Sequence, residues 1–216
     1  MGVVAERKRF TVDEYHKLGQ AGVVGEDDRI ELIDGELIQM PPIGSVHAGL
    51  VGRLDRAFQA HLAHGLVVWA QNPLSFPPAS EPQPDLALLK PRSDDYLNSL
   101  PTADDVVLVI EGSDTTLAYD RDVKVPLYAS QGIPECWLID PRLEQADFYW
   151  LDERNRYLPA PMESPGIYRS RVLTSFWLRT DWLWQQPLPD PTTVLLQVDR
   201  MAYAAFLEQQ LRATEP

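Results

Sequence analysis

The sequence predicts an α/β (mixed α+β) domain, and three observations carry that reading. The pair Asp34-Gly35 stands between two apolar stretches, one long segment repeats its apolar residues at helical spacing, and several short β-branched runs are separated by proline-rich loops. With 216 residues and 44% hydrophobic content the chain can bury one sizeable core. A single domain over residues 1–216 is expected.

The elements follow in order. Thr11-Val12-Asp13-Glu14-Tyr15 reads as the start of a short helix with Thr11 as its cap. The segments 29–33 and 36–40 flank Asp34-Gly35, the strongest short-range hairpin signal, and Pro41-Pro42 ends the second strand. From Ser45, the residues Val46, Leu50, Val51, Leu54, Ala57, Phe58 and Leu62 recur at helical spacing up to Gly65, which suits a C-terminal cap. Three strands come next: 66–71, the segment Pro84-Asp85-Leu86-Ala87-Leu88-Leu89, and the β-branched run from Val106 to Glu111. A second helix is expected over 116–132. Pro126 has no N–H to donate and belongs in a first turn, which puts Lys124 near the helix start. Gly132 and Pro134 end it. Strands over 135–140 and about 147–151 follow, then others near Tyr168 and over 172–178, and a last helix over 199–211.

Charge and composition narrow the function classes. Against 19 basic residues stand 32 acidic ones, a formal net charge of −13, so broad, nonspecific binding of a polyanion is not expected and a narrow basic channel would have to hold one. Arg53 and Arg56 on the long helix, and Arg169, Arg171 and Arg179 later, are candidates for it. The single cysteine, Cys136, cannot form an internal disulfide and fits a reducing compartment. No secretory signal or membrane-spanning run is read, and a cytoplasmic protein is expected.

Asp85 opens one apolar segment and Glu111 closes another, so pairing of the two strands would set both carboxylates side by side where the sheet meets solvent. Lys124 follows on the next helix. Two acids and a lysine in this order suit metal-assisted hydrolysis of a phosphodiester, in which negative charge grows on several oxygens at once and hard cations offset it. Each residue alone also has a plainer reading: a loop cap for Asp85, a solvated strand end for Glu111, and an exposed partner of Asp120 for Lys124. His61 and His64 lie three apart without matching ligands, so no zinc site is expected. The tryptophans Trp137, Trp150, Trp177, Trp182 and Trp184 suit a core or a dimer contact better than base stacking.

The segments from Glu31 through Asp34-Gly35 to Glu36, His47, Pro84-Asp85, Val109-Ile110-Glu111, Asp120 through Lys124 to Tyr128, Gly132 to Glu135, Trp137 and Asp140 together resemble the Uma-type restriction-endonuclease family of the PD-(D/E)XK nuclease superfamily. The resemblance spans about residues 10–180, hairpin included, and leaves 181–216 as a C-terminal extension with a helix. It implies a restriction-endonuclease-like core with a central mixed sheet flanked by helices, preceded by an N-terminal β-hairpin extension. It further implies a Mg (or Mn) ion held by Asp85, Glu111 and the Gly112 backbone carbonyl, with Lys124 as the third catalytic residue. The superfamily lysine usually lies two positions beyond the second acid, where this chain has Ser113; Lys124 resembles its migrated counterpart, and Gly112 replaces a more usual valine. His47, Glu36, Glu31 and Gln71 are accessory candidates. The implied partners are a nucleic acid, DNA before RNA, and a second copy of the chain, without a membrane. Two alternatives stay open: a catalytically silent module of this fold serving protein assembly or regulation, and a metal-dependent hydrolase of RNA or nucleotide phosphoesters.

Overall fold

Thr11 opens the first helix through a reciprocal cap. In α1 (Val12–Gln20) the Glu14 N–H donates to the Thr11 hydroxyl at 3.2 Å and the Thr11 N–H donates to the Glu14 carboxylate at 3.0 Å. The structure, a computed structural model, describes residues 6–25, 28–61, 66–173 and 176–187. The hairpin follows as expected: β1 (Ile30–Ile33) pairs antiparallel with β2 (Glu36–Gln39), Ile33 facing Glu36. Asp34 and Gly35 take φ of 48° and 81°, the successive left-handed residues that match the strands' twist. A Cβ on Gly35 would sit 2.7 Å from that of Arg9, so the turn requires glycine.

The main sheet has six strands in the order β3-β4-β5-β6-β7-β8. They are β3 (Val67–Ala70), β4 (Leu86–Leu89), β5 (Val106–Gly112), β6 (Glu135–Asp140), β7 (Gln145–Leu151) and β8 (Tyr157–Pro159), the last not anticipated from sequence. Only β5 and β6 run parallel; every other neighbouring pair is antiparallel, so the sheet is mixed. Parallel neighbours need a crossover, and the helical segment between β5 and β6 supplies it.

Strand alternation sorts the core onto two faces. Leu86, Leu88, Leu108 and Ile110 pack with Leu50, Val51, Leu54 and Phe58 of α2 (Ser45–His61). Each such fully buried side chain contributes about 1.5–3 kcal/mol. Ala87, Leu89 and Val109 face the other way, against Val125, Leu127 and Tyr128 of the crossover. Trp137, Trp177 and Trp182 are buried, which assigns these three tryptophans to the core.

The expected helix over 116–132 is interrupted by a widened turn. α3 (Leu117–Tyr119) passes into a π turn, Asp120–Lys124, and then α4 (Val125–Ser130), with Pro126 in its first turn. The missing N–H of proline breaks the regular ladder there, and Lys124 falls on the junction.

The strand expected over 172–178 is corrected to β10 (Trp177–Arg179), paired with β9 (Ile167–Arg169). The buried Glu135 carboxylate accepts the Ser170 hydroxyl at 3.1 Å and the N–H groups of Arg171 at 2.9 Å and Val172 at 3.3 Å, so the chain turns before it can extend. His64 and the helix expected over 199–211 lie outside the described residues. Among the described residues no helix is long and apolar enough to cross a membrane.

Candidate active site

Leu86 faces Ile110 across β4 and β5, so Asp85, one residue before, and Glu111, one residue after, emerge at the same end of the sheet. Register alone brings them together. The Gly112 N–H donates to Asp85 Oδ2 at 2.7 Å, and His47 Nε2, from the first turn of α2, lies 2.8 Å from Asp85 Oδ1. Glu111 turns toward the crossover, where its Oε1 accepts the Tyr128 hydroxyl at 2.5 Å and meets Lys124 Nζ at 2.8 Å. Lys124 is no exposed partner of Asp120. It is 1% exposed and also reaches Glu31 Oε1 and the Gln83 carbonyl, each at 3.2 Å.

An excess of buried negative charge governs this cluster. Burial pushes the Glu111 carboxyl well above its usual range, with Lys124 opposing and the neighbouring acids adding to the rise. Glu31 is raised for the same first reason. For Lys124 burial acts downward, yet Glu111 and Glu31 outweigh it and hold the amine firmly as ammonium. His47 is raised above 6.5, chiefly by its hydrogen bond to Asp85.

Asp120 was not singled out from sequence as a site residue, being read as a helix partner four positions before Lys124 and as the start of one resembling segment. The π turn instead points its Oδ2 at the hydroxyls of Ser113, 2.8 Å, and Thr116, 2.5 Å. Its Oδ1 and the Oε2 of Glu31 are buried and have no hydrogen-bond partner among the described residues. Both residues line one cavity of about 200 Å³ with Asp85, Glu111, Lys124 and His47. Four buried carboxylates against one ammonium, with two oxygens unsatisfied, form a hard-oxygen donor set whose chemistry fits Mg or Mn. Among the described residues no three Asp, Glu, His or Cys side chains converge as the ligands of one ion do, because Glu111 is turned to Lys124 and Asp85 to His47.

The accessory candidates separate. Glu31 and His47 enter the cavity lining. Gln71 stands behind them, its amide 3.5 Å from His47 Nε2 and its N–H donating to the Asp85 carbonyl at 3.0 Å. Glu36 lies outside the lining and pairs with Arg9 at 3.4 Å, on the exposed side of the hairpin. The Gly112 carbonyl accepts the Asp114 N–H at 3.2 Å. Four of the arginines proposed for a basic channel are used elsewhere: Arg53 on the carbonyls of Leu183 and Gln185, Arg169 on Glu163, Arg171 on the Leu151 carbonyl, and Arg179 on Asp181. The cations that line the cavity beside Lys124 are Arg29 and Arg142, which no local motif announced.

Known proteins show the same architecture. A crystal structure described as a putative nuclease belonging to DUF820 from Anabaena variabilis shares the fold with a TM-score of 0.63 at 18% identity, over 81% of this chain and 97% of that one. No curated protein matches. The family described as Uma2, putative restriction endonuclease, matches residues 12–181, and with the mixed sheet and the acid cavity already in place the chain belongs to that family.

Proposed function

We propose that this protein is an endonuclease dependent on Mg or Mn that hydrolyses phosphodiester bonds in DNA. The observation that carries the reading is the convergence of Asp85, Glu111 and a buried Lys124 on one cavity. Its volume of about 200 Å³ is below the roughly 300–1,000 Å³ of a small-molecule site, so a phosphate group enters while the rest of a polymer stays outside.

In this reading Asp85, Glu111 and the Gly112 carbonyl would hold the ion. When bound, it supplies charge neutralisation at the phosphate and a more acidic water. Lys124, which the carboxylates of Glu111 and Glu31 draw toward its charged form, would act as a positive charge for the developing phosphorane oxygens, and Glu31 and the Gln83 carbonyl hold it in place. Tyr128 orients the Glu111 carboxylate through its short hydrogen bond. His47 and the Gly112 N–H fix the Asp85 plane.

The test is direct. DNA and RNA are incubated with the chain, with Mg or Mn or with a chelator. Cleavage is expected with metal only, and Glu111→Ala should slow it at least about 100-fold; equal cleavage by that variant would remove the mechanism.

A silent module of the same fold is the second reading, favoured by the absence of converging ligands among the described residues. Calorimetry separates the two, since a silent module takes up no divalent ion at millimolar concentration. Cutting both strands of a duplex further suits a homodimer, which light scattering checks.

A further inference from the structure

Arg29 and Arg142 both line the acid cavity, yet the mechanism above uses neither. Arg142 is held in place from two directions. Its Nε donates to Asp114 Oδ1, and its backbone N–H donates to Asp140 Oδ1 at 2.8 Å, which pins the turn after β6. Asp114 in turn follows Glu111 by three residues, and the Arg142 guanidinium beside it holds its carboxyl below the usual carboxylate range. The bond through Nε uses the inner edge of the guanidinium; among the described residues the two terminal amino groups have no partner, and the side chain is 62% exposed.

Arg29 mirrors this arrangement at the foot of the hairpin. It donates through Nη1 to the Pro41 carbonyl, just beyond the Met40 N–H that donates to the Arg29 carbonyl at 2.6 Å. No described carboxylate pairs with it, and it lies near enough to His47 to oppose that ring's protonation. Each guanidinium group is thus anchored by one hydrogen bond, Arg29 through Nη1 and Arg142 through Nε, and both residues line the cavity.

We propose that Arg29 and Arg142 are a phosphate clamp, binding the phosphodiester groups that neighbour the one inside the cavity. The inference rests on the nuclease reading and names the contacts by which substrate would be held. A chain of net charge −13 repels a polyanion at long range, so attraction must come from cations placed at the mouth itself. A cavity of about 200 Å³ is too small for a strand to enter whole, so phosphates that neighbour the reacting one would lie toward its rim. Guanidinium is the side chain suited to that task, since its planar fork meets two phosphate oxygens at once and its charge is never lost.

The test measures anisotropy of fluorescent DNA and RNA, duplex and single-stranded, with the full chain in calcium and in chelator over a salt series. Arg29→Ala and Arg142→Ala are each expected to weaken binding about tenfold or more. Each should also lower the slope of log affinity against log salt by about 1. Arg142→Lys should fall between, keeping the charge but losing the fork; it also keeps the test decisive if Arg142→Ala fails to fold. Arg156→Ala, paired to Asp152 before β8 and outside the cavity lining, should bind as the parent does. Unchanged affinity and slope in the Arg29 and Arg142 variants would overturn the clamp, as would absence of binding by the parent chain. If the variants bind normally while the parent still cleaves, the clamp fails and the nuclease reading stands. If they lose binding while the parent never cleaves, the clamp stands and the nuclease reading fails. An effect confined to RNA supports the clamp and transfers it to that substrate.

Discussion

Glu31 and Lys124 stand 93 positions apart in sequence and 3.2 Å apart in the structure, both almost wholly buried. The contact ties the N-terminal hairpin to the crossover helix at the point where β5 delivers Glu111. A buried ammonium between two buried carboxylates is expensive to break from either side.

Replacing Lys124 by alanine should therefore cost about 3–5 kcal/mol, read from urea denaturation, because two carboxylates lose their counter-charge inside the protein. Glu31 and Glu111 both have folded values raised above 4.5, so they favour the folded state most when protonated, and that contribution falls as pH climbs through their folded values. The penalty in the alanine variant should accordingly shrink at mildly acidic pH and grow at mildly alkaline pH. A penalty independent of pH would contradict the charge argument.

Tyr128→Phe removes only the hydroxyl that donates to Glu111 Oε1 at 2.5 Å. A bond to a charged acceptor sets the expected loss at about 1.5–3 kcal/mol. In a double-mutant cycle with Glu111→Gln the two losses should be coupled rather than additive.

His47 should titrate above 6.5 by NMR in the metal-free protein, since the Asp85 carboxylate is the main cause of its upward shift. A raised folded value means that its stabilisation is complete below about 6.5 and is lost as pH rises through the folded value. In Asp85→Asn the shift should collapse toward 6.5, while the Gly112 N–H still finds an oxygen acceptor. An unmoved His47 midpoint would separate the ring from Asp85.

Gly112→Val should destabilise the protein. A Cβ at this position comes 3.1 Å from Leu50 Cδ2 and 3.4 Å from Asp85 Oδ2, so Leu50 must yield. Overpacking of this size costs about 1–3 kcal/mol, and Leu50→Val in the same chain should recover part of it in a thermal melt.

Local sequence determined a large share of this protein. The Asp34-Gly35 turn, the Thr11 cap, the apolar stripe of α2 as far as His61 and the β-branched run of β5 each depend on neighbours a few positions away, and each formed where it was read, while Leu62 and the cap read at Gly65 lie outside the described residues. The strand-end positions of Asp85 and Glu111 were legible too, and the register of β4 on β5 then set the two acids side by side. Tertiary structure decided the rest. Lys124 has as its partners Glu31 and Glu111 rather than Asp120, since a π turn before Pro126 rotates the helix and the hairpin folds over it. Asp120, Arg29 and Arg142 acquired their place beside the acids only when separate loops met at one cavity. Glu135 likewise shortened the strand foreseen at 172–178 by drawing its backbone N–H groups inward. Periodicity and turn chemistry act over single elements and can be read in order along the chain, whereas which buried charges neutralise one another depends on distances that exist only after the elements have packed.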